Sequence, residues 1–484
     1  MTGIVILSGA RTAIGTFGGS LSGFCPIDLA THVSKAAIAR AGSDAEKIGQ
    51  VVFGHVINTE PRDMYVSRVA SVQAGVPVGT PAMNVNRLCG SGAQAIVSAT
   101  QSLMLGDAEF ALAGGVDCMS RAPYILQQAR FGQKMGDVKA IDMMTGALSC
   151  PFGTGHMGVT AENVACEHSI SREEQDALAL QSQERAFAAI EAGLFKDEIV
   201  SRRATVVFDT DEHPKKTSAE ALAGLKPVFK KDGTVTAGNA SGINDGAAAL
   251  ILARADAAEA AGLKPRAKIL GYSVAGVRPE VMGVGPIPAV QQLCKKLGMS
   301  VADFDVIESN EAFAAQALAV SKELGLDPAK VNPNGGAIAL GHPIGATGAI
   351  LTVKTLYHLE RTGGKRGLIT RSEERRVGKE GRSDHHVHRW RPGHRAGDRT
   401  GLMAFSPEER AALLAAPLVG PTVLRRFEEV GFGTVEALAA AQPEDLCRLV
   451  AAHLGTTCWA NAPRARASVA NAIAAAQALA AGRG

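Results

Sequence analysis

The sequence of 484 residues lacks several features that would each define a class of protein. Its eight cysteines include no CxxC pair, so neither a disulfide framework nor a cysteine-rich zinc site is indicated. No apolar run reaches about 18 residues, the length that a membrane-spanning helix requires. The N-terminus has no basic segment before its short apolar stretch, which argues against a secretory signal. We therefore expect a cytoplasmic protein with reduced thiols and no membrane span.

An excess of either charge is also missing, although charge is distributed unevenly. Fifty basic and 47 acidic residues give a net charge of +3, so a nucleic acid partner has no support from the whole chain. Residues 371–400 hold nine Lys/Arg against five Asp/Glu, together with four of the twelve histidines. Residues 401–484 contain no lysine and are rich in alanine. The composition thus divides the chain into a long near-neutral piece, a short basic one and a small helical one.

Residues 1–370 alternate short apolar runs with segments of helical periodicity, which predicts an α/β protein with largely parallel sheets. The predicted strands are 4–7, 51–56, 110–114, 269–274, 304–307 and 367–369, and the predicted helices are 27–41, 92–105, 172–192 and 345–358. Two stretches, from Asn86 and from Gly341, share one order of elements: a small-residue turn with a reactive side chain, a helix, a glycine-containing turn and a strand. This weak similarity suggests two related halves.

Cys89 lies in the turn Asn-Arg-Leu-Cys-Gly-Ser-Gly, immediately before a predicted helix. Unpaired backbone N–H groups and the positive end of a helix dipole stabilise a thiolate at such a position. The alternative is a small buried core cysteine. The flanking glycines favour a reactive thiol, because they let a substrate approach the backbone closely.

His342 lies in a second glycine-rich turn, where Pro343 fixes the chain at the start of the next helix. A turn histidine can simply cap a backbone group, but beside a candidate nucleophile it is the natural general base. Asn310 follows a predicted strand, where it could orient a water or donate to an oxyanion. The local sequence alone favours the alternative, which is a helix N-cap. Together these residues predict acyl transfer through a cysteine.

Six extended motifs of residues 1–370 together resemble the thiolases, which are acyl-CoA:acetyl-CoA C-acyltransferases. They are NRLCGSG from Asn86, GHMGVTAENVA from Gly155, GTVTAGNASGINDGAAA from Gly233, VMGVGPIPA from Val281, ESNEAFAAQA from Glu308 and NPNGGAIALGHPIGATGA from Asn332. The motifs occur in the order that the family has. The likeness is greatest to bacterial β-ketothiolases and acetyl-CoA acetyltransferases.

The resemblance implies a five-layered αβαβα fold of two similar halves, which we place at residues 1–265 and 266–370, with a loop domain inserted at about 119–245. It implies a homodimer or homotetramer with acyl-CoA substrates and no bound cofactor. It makes Cys89 the nucleophile and His342 the group that activates it and helps to hold the thioester oxygen, with Asn310 placing a water in the same oxyanion pocket. Five further residues match positions that line the acyl and pantetheine tunnel: His156, Met157, Ser241, Met282 and Phe313.

The sequence departs from the family after Thr370, where a thiolase continues with a CxGGGQG-like turn. That turn supplies a second cysteine, the base for the α-proton, and a backbone donor. Here no cysteine occurs between Cys294 and Cys447. One permitted set of codons for Asp384–Thr400, read one base later, gives Ile-Thr-Met-Cys-Ile-Gly-Gly-Gly-Gln-Gly-Ile-Ala-Leu-Gly-Ile-Glu. We therefore interpret residues 371–402 as the product of an insertion and a frameshift.

On this interpretation the histidines at 385–394 are out of frame and form no metal site, despite their suggestive spacing. Residues 403–484 predict a small helical module that resembles a helix-hairpin-helix, with Ser406 as an N-cap and Pro407 at the first helical position. A purely structural helical hairpin is the alternative. The zero net charge of this segment weakens a role in DNA binding.

The sequence therefore predicts a thiolase that reversibly condenses two acetyl-CoA molecules, or acetyl-CoA and a short acyl-CoA, to a 3-ketoacyl-CoA. The alternative is a catalytically impaired protein of the same fold, because the CxG motif is missing. A decarboxylating ketoacyl synthase is disfavoured, because the loops around Asn310 and His342 look like the thiolase versions.

Overall fold

A computed structural model describes residues 3–203, 207–370, 405–453 and 463–481. The chain divides into two compact units, Met1–Gly381 and Arg382–Gly484. Residues 371–402, which we interpret as frameshifted, lie outside the described residues, and so do the histidines at 385–394. The domain boundaries expected from the sequence stay predictions.

The first unit alternates strands and helices, as the periodicity predicts. Its strands are β1 (Ile4–Arg11), β2 (Gly15–Thr16), β3 (Ile48–Gly54), β4 (Ala82–Val85), β5 (Phe110–Cys118), β6 (Tyr124–Ile125), β7 (Ile141–Asp142), β8 (Ser149–Cys150), β9 (Gly155–His156), β10 (Arg202–Arg203), β11 (Val207–Phe208), β12 (Asn244–Arg254), β13 (Ala267–Ile269), β14 (Val306–Ser309) and β15 (Gly367–Thr370). Its helices are α1 (Pro26–Ala41), α2 (Val66–Gln73), α3 (Ser91–Leu105), α4 (Met143–Ala147), α5 (Met157–Glu167), α6 (Arg172–Glu191), α7 (Ala219–Ala223), α8 (Ala255–Ala260), α9 (Pro286–Leu297), α10 (Ala314–Leu324), α11 (Ala337–Leu340) and α12 (Thr347–Thr362).

The largest sheet has the strand order β13–β1–β12–β5–β3–β4, with the short β2 paired to β12. Strand β12 runs antiparallel to β1 and β5, whereas β3 is parallel to β5 and β4. The expectation of a largely parallel sheet is therefore wrong for this half. The reason is that Cys118 at the end of β5 lies opposite Asp245 at the start of β12, so the chain returns antiparallel without crossing the sheet.

Five layers follow from the faces that these elements bury. One face of the large sheet packs on α1 and α2, with Val33 and Phe53 in the shared core. The other face packs on α3 and α12, with Ile96 and Ile350 in the core. Helix α12 also contacts the parallel pair β14–β15, which shares a core with α9 and α10. The order is thus helix, sheet, helix, sheet, helix.

Most of the predicted elements are present, with two informative differences. Helices predicted at 27–41, 92–105 and 172–192 correspond to α1, α3 and α6 within one residue at each end. Helix α12 begins at Thr347, two residues later than predicted, because Gly345 N–H donates to the Asp117 carboxylate and residues 343–346 form a turn. The strand predicted at 269–274 is wrong beyond Ile269, because no described strand lies beside the following residues to pair with them.

The second unit is helical in its described residues, with α13 (Pro407–Leu414), α14 (Pro421–Glu429), α15 (Val435–Ala439), α16 (Pro443–His453) and α17 (Pro463–Ala481). The Ser406 cap is confirmed: Ser406 Oγ accepts the Glu409 N–H at 3.2 Å, and the Glu409 carboxylate accepts the Ser406 N–H at 2.9 Å. Leu424 and Phe427 of α14 are fully buried in its core. The likeness to a helix-hairpin-helix stays a prediction. Among the described helices of both units, none is long and apolar enough to cross a membrane.

Candidate active site

Cys89 lies two residues before α3, in a turn whose backbone is held by side chains. Leu88 has a φ of 45°, in the left-handed region that residues other than glycine rarely adopt. Its N–H donates to Asn86 Oδ1 at 3.0 Å, and Ser91 Oγ donates to its carbonyl at 2.6 Å. Backbone strain of this kind persists only where surrounding contacts fix it, and it is common at active sites. The turn therefore holds the half-buried Cys89 thiol at the N-terminal end of a helix.

The His342 ring lies against the Cys89 thiol, with 3.1 Å between Nε2 and Sγ. On the other side of the ring, Nδ1 is 2.7 Å from Thr347 Oγ1, and this hydroxyl donates its single hydrogen to the Pro343 carbonyl at 2.9 Å. Thr347 Oγ1 must therefore accept a hydrogen from Nδ1. The neutral ring thus carries its proton on Nδ1 and turns the lone pair of Nε2 toward the thiol. This is the tautomer that a base for Cys89 requires.

Close packing of α3 on α12 brings the two glycine-rich turns together. A Cβ on Gly92 of α3 would lie 2.8 Å from Ala349 N, and a Cβ on Gly348 of α12 would overlap Ala93 N. Glycine is thus needed at both positions for the backbones to approach. The N-terminal ends of both helices favour negative charge beside the thiol–imidazole pair.

The turn that carries His342 is tied to the N-terminal half by two buried polar side chains. The His342 N–H donates to Asn244 Oδ1 at 2.9 Å, and the Asp117 carboxylate accepts the Gly345 N–H at 2.6 Å. Asp117 also lies 3.2 Å from Nδ1 of His55. Burial alone lowers the pKa of His55, but the contact with Asp117 outweighs it and raises the pKa. The base therefore depends on both halves of the first unit for its position.

Asn310 is buried beside the same ring, immediately after β14. Its Nδ2 lies 3.5 Å from His342 Nε2, and its backbone N–H donates to the Thr370 carbonyl at 2.9 Å. Within the described part of the chain, the buried Oδ1 of Asn310 has no hydrogen-bond partner. A buried carbonyl of this kind is satisfied by an ordered water. The geometry is therefore compatible with the water-placing role that the resemblance implies.

Four of the predicted tunnel residues lie close together. Met157, Met282 and Phe313 form one apolar cluster with Cys150. Ser241 is adjacent, because its N–H donates at 3.0 Å to the carbonyl of the residue that precedes Phe313. The structure thus brings together residues that are far apart in the sequence.

His156, the remaining predicted tunnel residue, joins this cluster through an aromatic side chain. Its Nδ1 accepts the Gly158 N–H at 3.1 Å and so caps α5. Its ring stacks on Phe229 at 4.8 Å between centroids, and Phe229 meets Phe313 edge-on at 6.2 Å. Burial lowers the pKa of His156, which keeps its ring neutral at pH 7. His156 therefore presents an uncharged surface.

Apolar side chains also lie beside Cys89. Cys89 packs against a small core that includes Met119, Leu148 and Ile344. The Leu148 carbonyl in turn accepts the Met157 N–H at 2.8 Å. Apolar surroundings of this kind suit a short acyl chain.

Sequence reasoning missed several residues of this site. Thr347 had a local signal, since it starts the helix that follows the His342 turn. Phe229 and Met119 had none, because each reaches the site only through distant parts of the chain.

Two family models match the first unit. The family described as "Thiolase, N-terminal domain" matches residues 4–256, and "Thiolase, C-terminal domain" matches residues 263–376. Together they cover the two turns, the tunnel cluster and Asn310.

Named relatives and solved structures agree with these matches. A beta-ketothiolase, BktB, of Cupriavidus necator is 56% identical over 374 residues, which cover 76% of this chain and 95% of the relative. An acetyl-CoA acetyltransferase of Escherichia coli is 49% identical over 378 residues, covering 76% and 96%. The crystal structure of human mitochondrial 3-ketoacyl-CoA thiolase superposes with a TM-score of 0.75 at 44% identity, covering 76% of this chain and 95% of that one. The predicted fold class is confirmed.

Proposed function

The chain belongs to the thiolase family, and we propose that it transfers acyl groups between coenzyme A thioesters through an acyl-enzyme on Cys89. The reaction is the reversible condensation of acetyl-CoA with a second acetyl-CoA or a short acyl-CoA to a 3-ketoacyl-CoA. The observation that carries the proposal is the 3.1 Å contact of the Cys89 thiol with the base nitrogen of His342. Relatives at 46–56% identity are named acetyl-CoA acetyltransferase or beta-ketothiolase, which favours an active enzyme over the catalytically impaired alternative.

The first half-reaction needs only groups that the described residues hold. His342 Nε2 takes the Cys89 proton, and the thiolate attacks the thioester carbonyl carbon. The carbon–sulfur bond to coenzyme A breaks, and His342 returns the proton to the departing thiolate. One thioester replaces another, so the acyl group stays activated for the next step.

Charge on the thioester oxygen is stabilised in the pocket beside Asn310. Once His342 holds the proton on Nε2, that N–H can donate to the oxygen. A water held by Asn310 Oδ1 donates a second hydrogen. Oriented donors of this kind are worth more in a buried site than in water.

The second half-reaction removes a proton from the α-carbon of acetyl-CoA. The resulting carbanion forms a carbon–carbon bond with the acyl carbon, and the bond from that carbon to Cys89 Sγ breaks. The family's base for this proton is a second cysteine, for which the sequence offers no counterpart between Cys294 and Cys447. The two half-reactions must therefore be measured separately.

The surroundings of the thiol support the proposed class of substrate. The tunnel cluster and the neutral His156 suit an uncharged acyl and pantetheine chain. The proposed chemistry requires no cofactor beyond the coenzyme A thioesters themselves. No disulfide bond joins any of the seven described cysteines, which supports a reducing compartment and the cytoplasm. We retain the homodimer or homotetramer that the resemblance implies.

Thiolysis of acetoacetyl-CoA tests the proposal, followed as loss of the enolate absorbance. We expect Cys89→Ala to lower the rate roughly 10⁴–10⁶-fold, as loss of a nucleophile does. Cys166→Ala, at an exposed cysteine of α5, is the matched control and should leave the rate unchanged. Thiolysis by Cys89→Ala at the wild-type rate would refute the assignment. Acetylation of Cys89 by acetyl-CoA, detected by mass spectrometry, without any thiolysis would support the impaired alternative.

A further inference from the structure

Glu311 carries a buried carboxylate immediately after Asn310, the residue to which we assign the water of the oxyanion pocket. Only 2% of the surface of Glu311 is exposed. A carboxylate loses its hydration at such a place, so hydrogen bonds from the protein must replace it. The chemistry proposed for Cys89 and His342 does not use this group. Its role must therefore lie in the contacts that it makes.

The Glu311 carboxylate accepts three hydrogen bonds. Asn332 Nδ2 donates to Oε1 at 2.7 Å, Ser182 Oγ donates to Oε2 at 2.7 Å, and the Ile338 N–H donates to Oε2 at 3.3 Å. Burial raises the pKa of this carboxyl group, and the three hydrogen bonds act against that shift. Because all three partners are donors, they fit two acceptor oxygens, which is the ionised form.

Asn332 connects the carboxylate with the end of β14. Its Oδ1 accepts the Ser309 N–H at 2.9 Å, and its Nδ2 donates to the Ser309 carbonyl at 2.7 Å as well as to Glu311. The backbone of Asn332 has a φ of 45°, in the left-handed region that residues other than glycine rarely adopt. Strain of this kind persists only where surrounding contacts fix it. Asn332 is therefore held firmly against the residues that flank Asn310.

Ser182 of α6 connects the same carboxylate with the backbone that leads to His342. Its Oγ donates its single hydrogen to Glu311 and accepts the Gly336 N–H at 3.0 Å. A Cβ on Gly336 would overlap Glu311 Cδ, so the carboxylate fits only against a glycine. We call the hydrogen-bonded group of Glu311 with Ser182, Ser309, Asn332, Gly336 and Ile338 the junction.

The His342 turn has anchors of its own outside the junction. Asn244 accepts the His342 N–H at 2.9 Å, and Asp117 accepts an N–H of the same turn at 2.6 Å. Asn310, in contrast, is the direct neighbour of Glu311 in the chain. A change at Glu311 should therefore displace Asn310 more than it displaces the imidazole ring.

We propose that Glu311 is a positioning residue, which places Asn310 beside the His342 ring so that the water held by Asn310 reaches the thioester oxygen. This role rests on the proposed function, because it acts on the oxyanion of acyl transfer. Loss of the junction leaves the thiol–imidazole pair in place and takes one donor away from the oxygen. Alkylation of Cys89 needs only the thiol and its base, whereas acylation also needs the oxyanion pocket.

Two rates at Cys89 of the full chain test this role: acetylation by saturating acetyl-CoA and alkylation by iodoacetamide, both followed by mass spectrometry. Glu311→Gln keeps the shape of the side chain but turns one acceptor oxygen into a donor, so that at least one of the three hydrogen bonds is lost. We expect acetylation to slow about 10–100-fold, as misplacement by about 1 Å does, while alkylation changes less than about twofold. Equal slowing of both rates, or unchanged acetylation, would overturn the positioning role.

Glu162→Gln is the matched control, at a buried carboxylate of α5 that accepts the N–H groups of Thr234 and Val235. It also loses a buried hydrogen bond, but its partners belong to residues 234–235 and not to the junction. We expect both rates at Cys89 to stay as in the wild type. Acetylation slowed as much by Glu162→Gln as by Glu311→Gln would show that loss of any buried carboxylate has this effect, and would overturn the proposal.

Ser182→Ala decides the question if Glu311→Gln does not fold. It removes one donor and no charge, so we expect the same separation of the two rates with a smaller loss of acetylation. Unchanged acetylation in Ser182→Ala would then overturn the positioning role. A failure of the proposed function looks different, because acetyl-CoA would not acetylate Cys89 even in the wild type, and the role of Glu311 would fall with it.

Discussion

The turns that precede α3 and α12 are built alike but carry different chemistry. Each has a backbone at positive φ just before its reactive residue, at Leu88 and at Gly341, and each continues into a helix whose first turn contains a glycine. The first turn presents a nucleophile and the second a base. The same backbone conformation therefore occurs in both turns. Because the two turns pack against each other, they provide both members of a catalytic pair.

The sheets behind these turns differ more than the turns do. The N-terminal sheet has β12 at its centre, buried along its length. In the C-terminal half, the described residues contribute only β14 and β15 to a ladder of their own. The turn carrying His342 is correspondingly supported from the N-terminal half, through Asn244 and Asp117.

Among changes to the second turn, removing the base should have the largest effect, and it tests whether that turn is catalytic. We expect His342→Ala to lower kcat/KM for thiolysis by roughly 10²–10⁴, the usual loss for a general base. Alkylation of Cys89 by iodoacetamide at pH 7 should slow as well, because the thiol loses its proton acceptor. His168→Ala, at the far end of α5, is the control. Equal rates for both variants would contradict the role of His342 as the base for Cys89.

A change of pH should alter the stability of the N-terminal sheet through His213, which lies against Gly242 just before β12. Burial, reinforced by Lys215 and opposed by Glu212, lowers the pKa of His213 to about 4. The folded protein therefore binds fewer protons than the unfolded chain below pH 6.5, so stability is lost as the pH falls from there toward 4. At ~1.4 kcal/mol for each pKa unit, the full loss is on the order of 3 kcal/mol.

Urea unfolding at pH 7 and pH 5 measures this contribution. We expect the decrease in the free energy of unfolding to be smaller for His213→Gln than for the wild type, because glutamine does not titrate. Carboxylates titrate in both proteins, so their contribution cancels when the decrease for one protein is subtracted from the decrease for the other. Equal decreases would show that His213 is accessible to protons in the folded state.

Separating the two turns should have an intermediate effect. A Cβ at Gly348 would overlap Ala93 N, so α12 must move away from α3 in Gly348→Ala. We expect a destabilisation of about 1–3 kcal/mol, as for overpacking, together with a lower kcat. Gly146→Ala, where an added Cβ meets nothing within 4 Å, is the matched control. A lower melting temperature with unchanged kcat would separate packing from catalysis.

Changing the tautomer of His342 should have the smallest effect. Thr347→Val removes the acceptor for Nδ1–H and keeps the shape of the side chain. Loss of one neutral hydrogen bond costs about 1 kcal/mol, roughly fivefold in kcat/KM. Thr352→Val is the control, since that hydroxyl donates to the Gly348 carbonyl within the same helix. A fivefold loss in both variants would contradict the tautomer argument.

Local signals explain which elements could be predicted from the sequence. Helix α6 begins with a capping box of Ser171 and Glu174, and α1 and α3 end at Gly42 and Gly106 with positive φ. Strand β12 was not predicted, because a strand buried on both faces shows no alternation and its alanines favour helix. The strand predicted at 269–274 was wrong beyond Ile269, because a strand forms only where a neighbouring strand pairs with it.

By itself the sequence determined which turns carry reactive side chains, because glycine and proline leave a local signature at such turns. Cys89, His342 and Asn310 were all named from their immediate neighbours. Only the tertiary structure decided that Cys89 and His342 meet, since 253 residues separate them and their contact depends on the packing of α3 against α12. It also decided which predicted strands find a partner to pair with, because neighbouring strands come from distant parts of the chain.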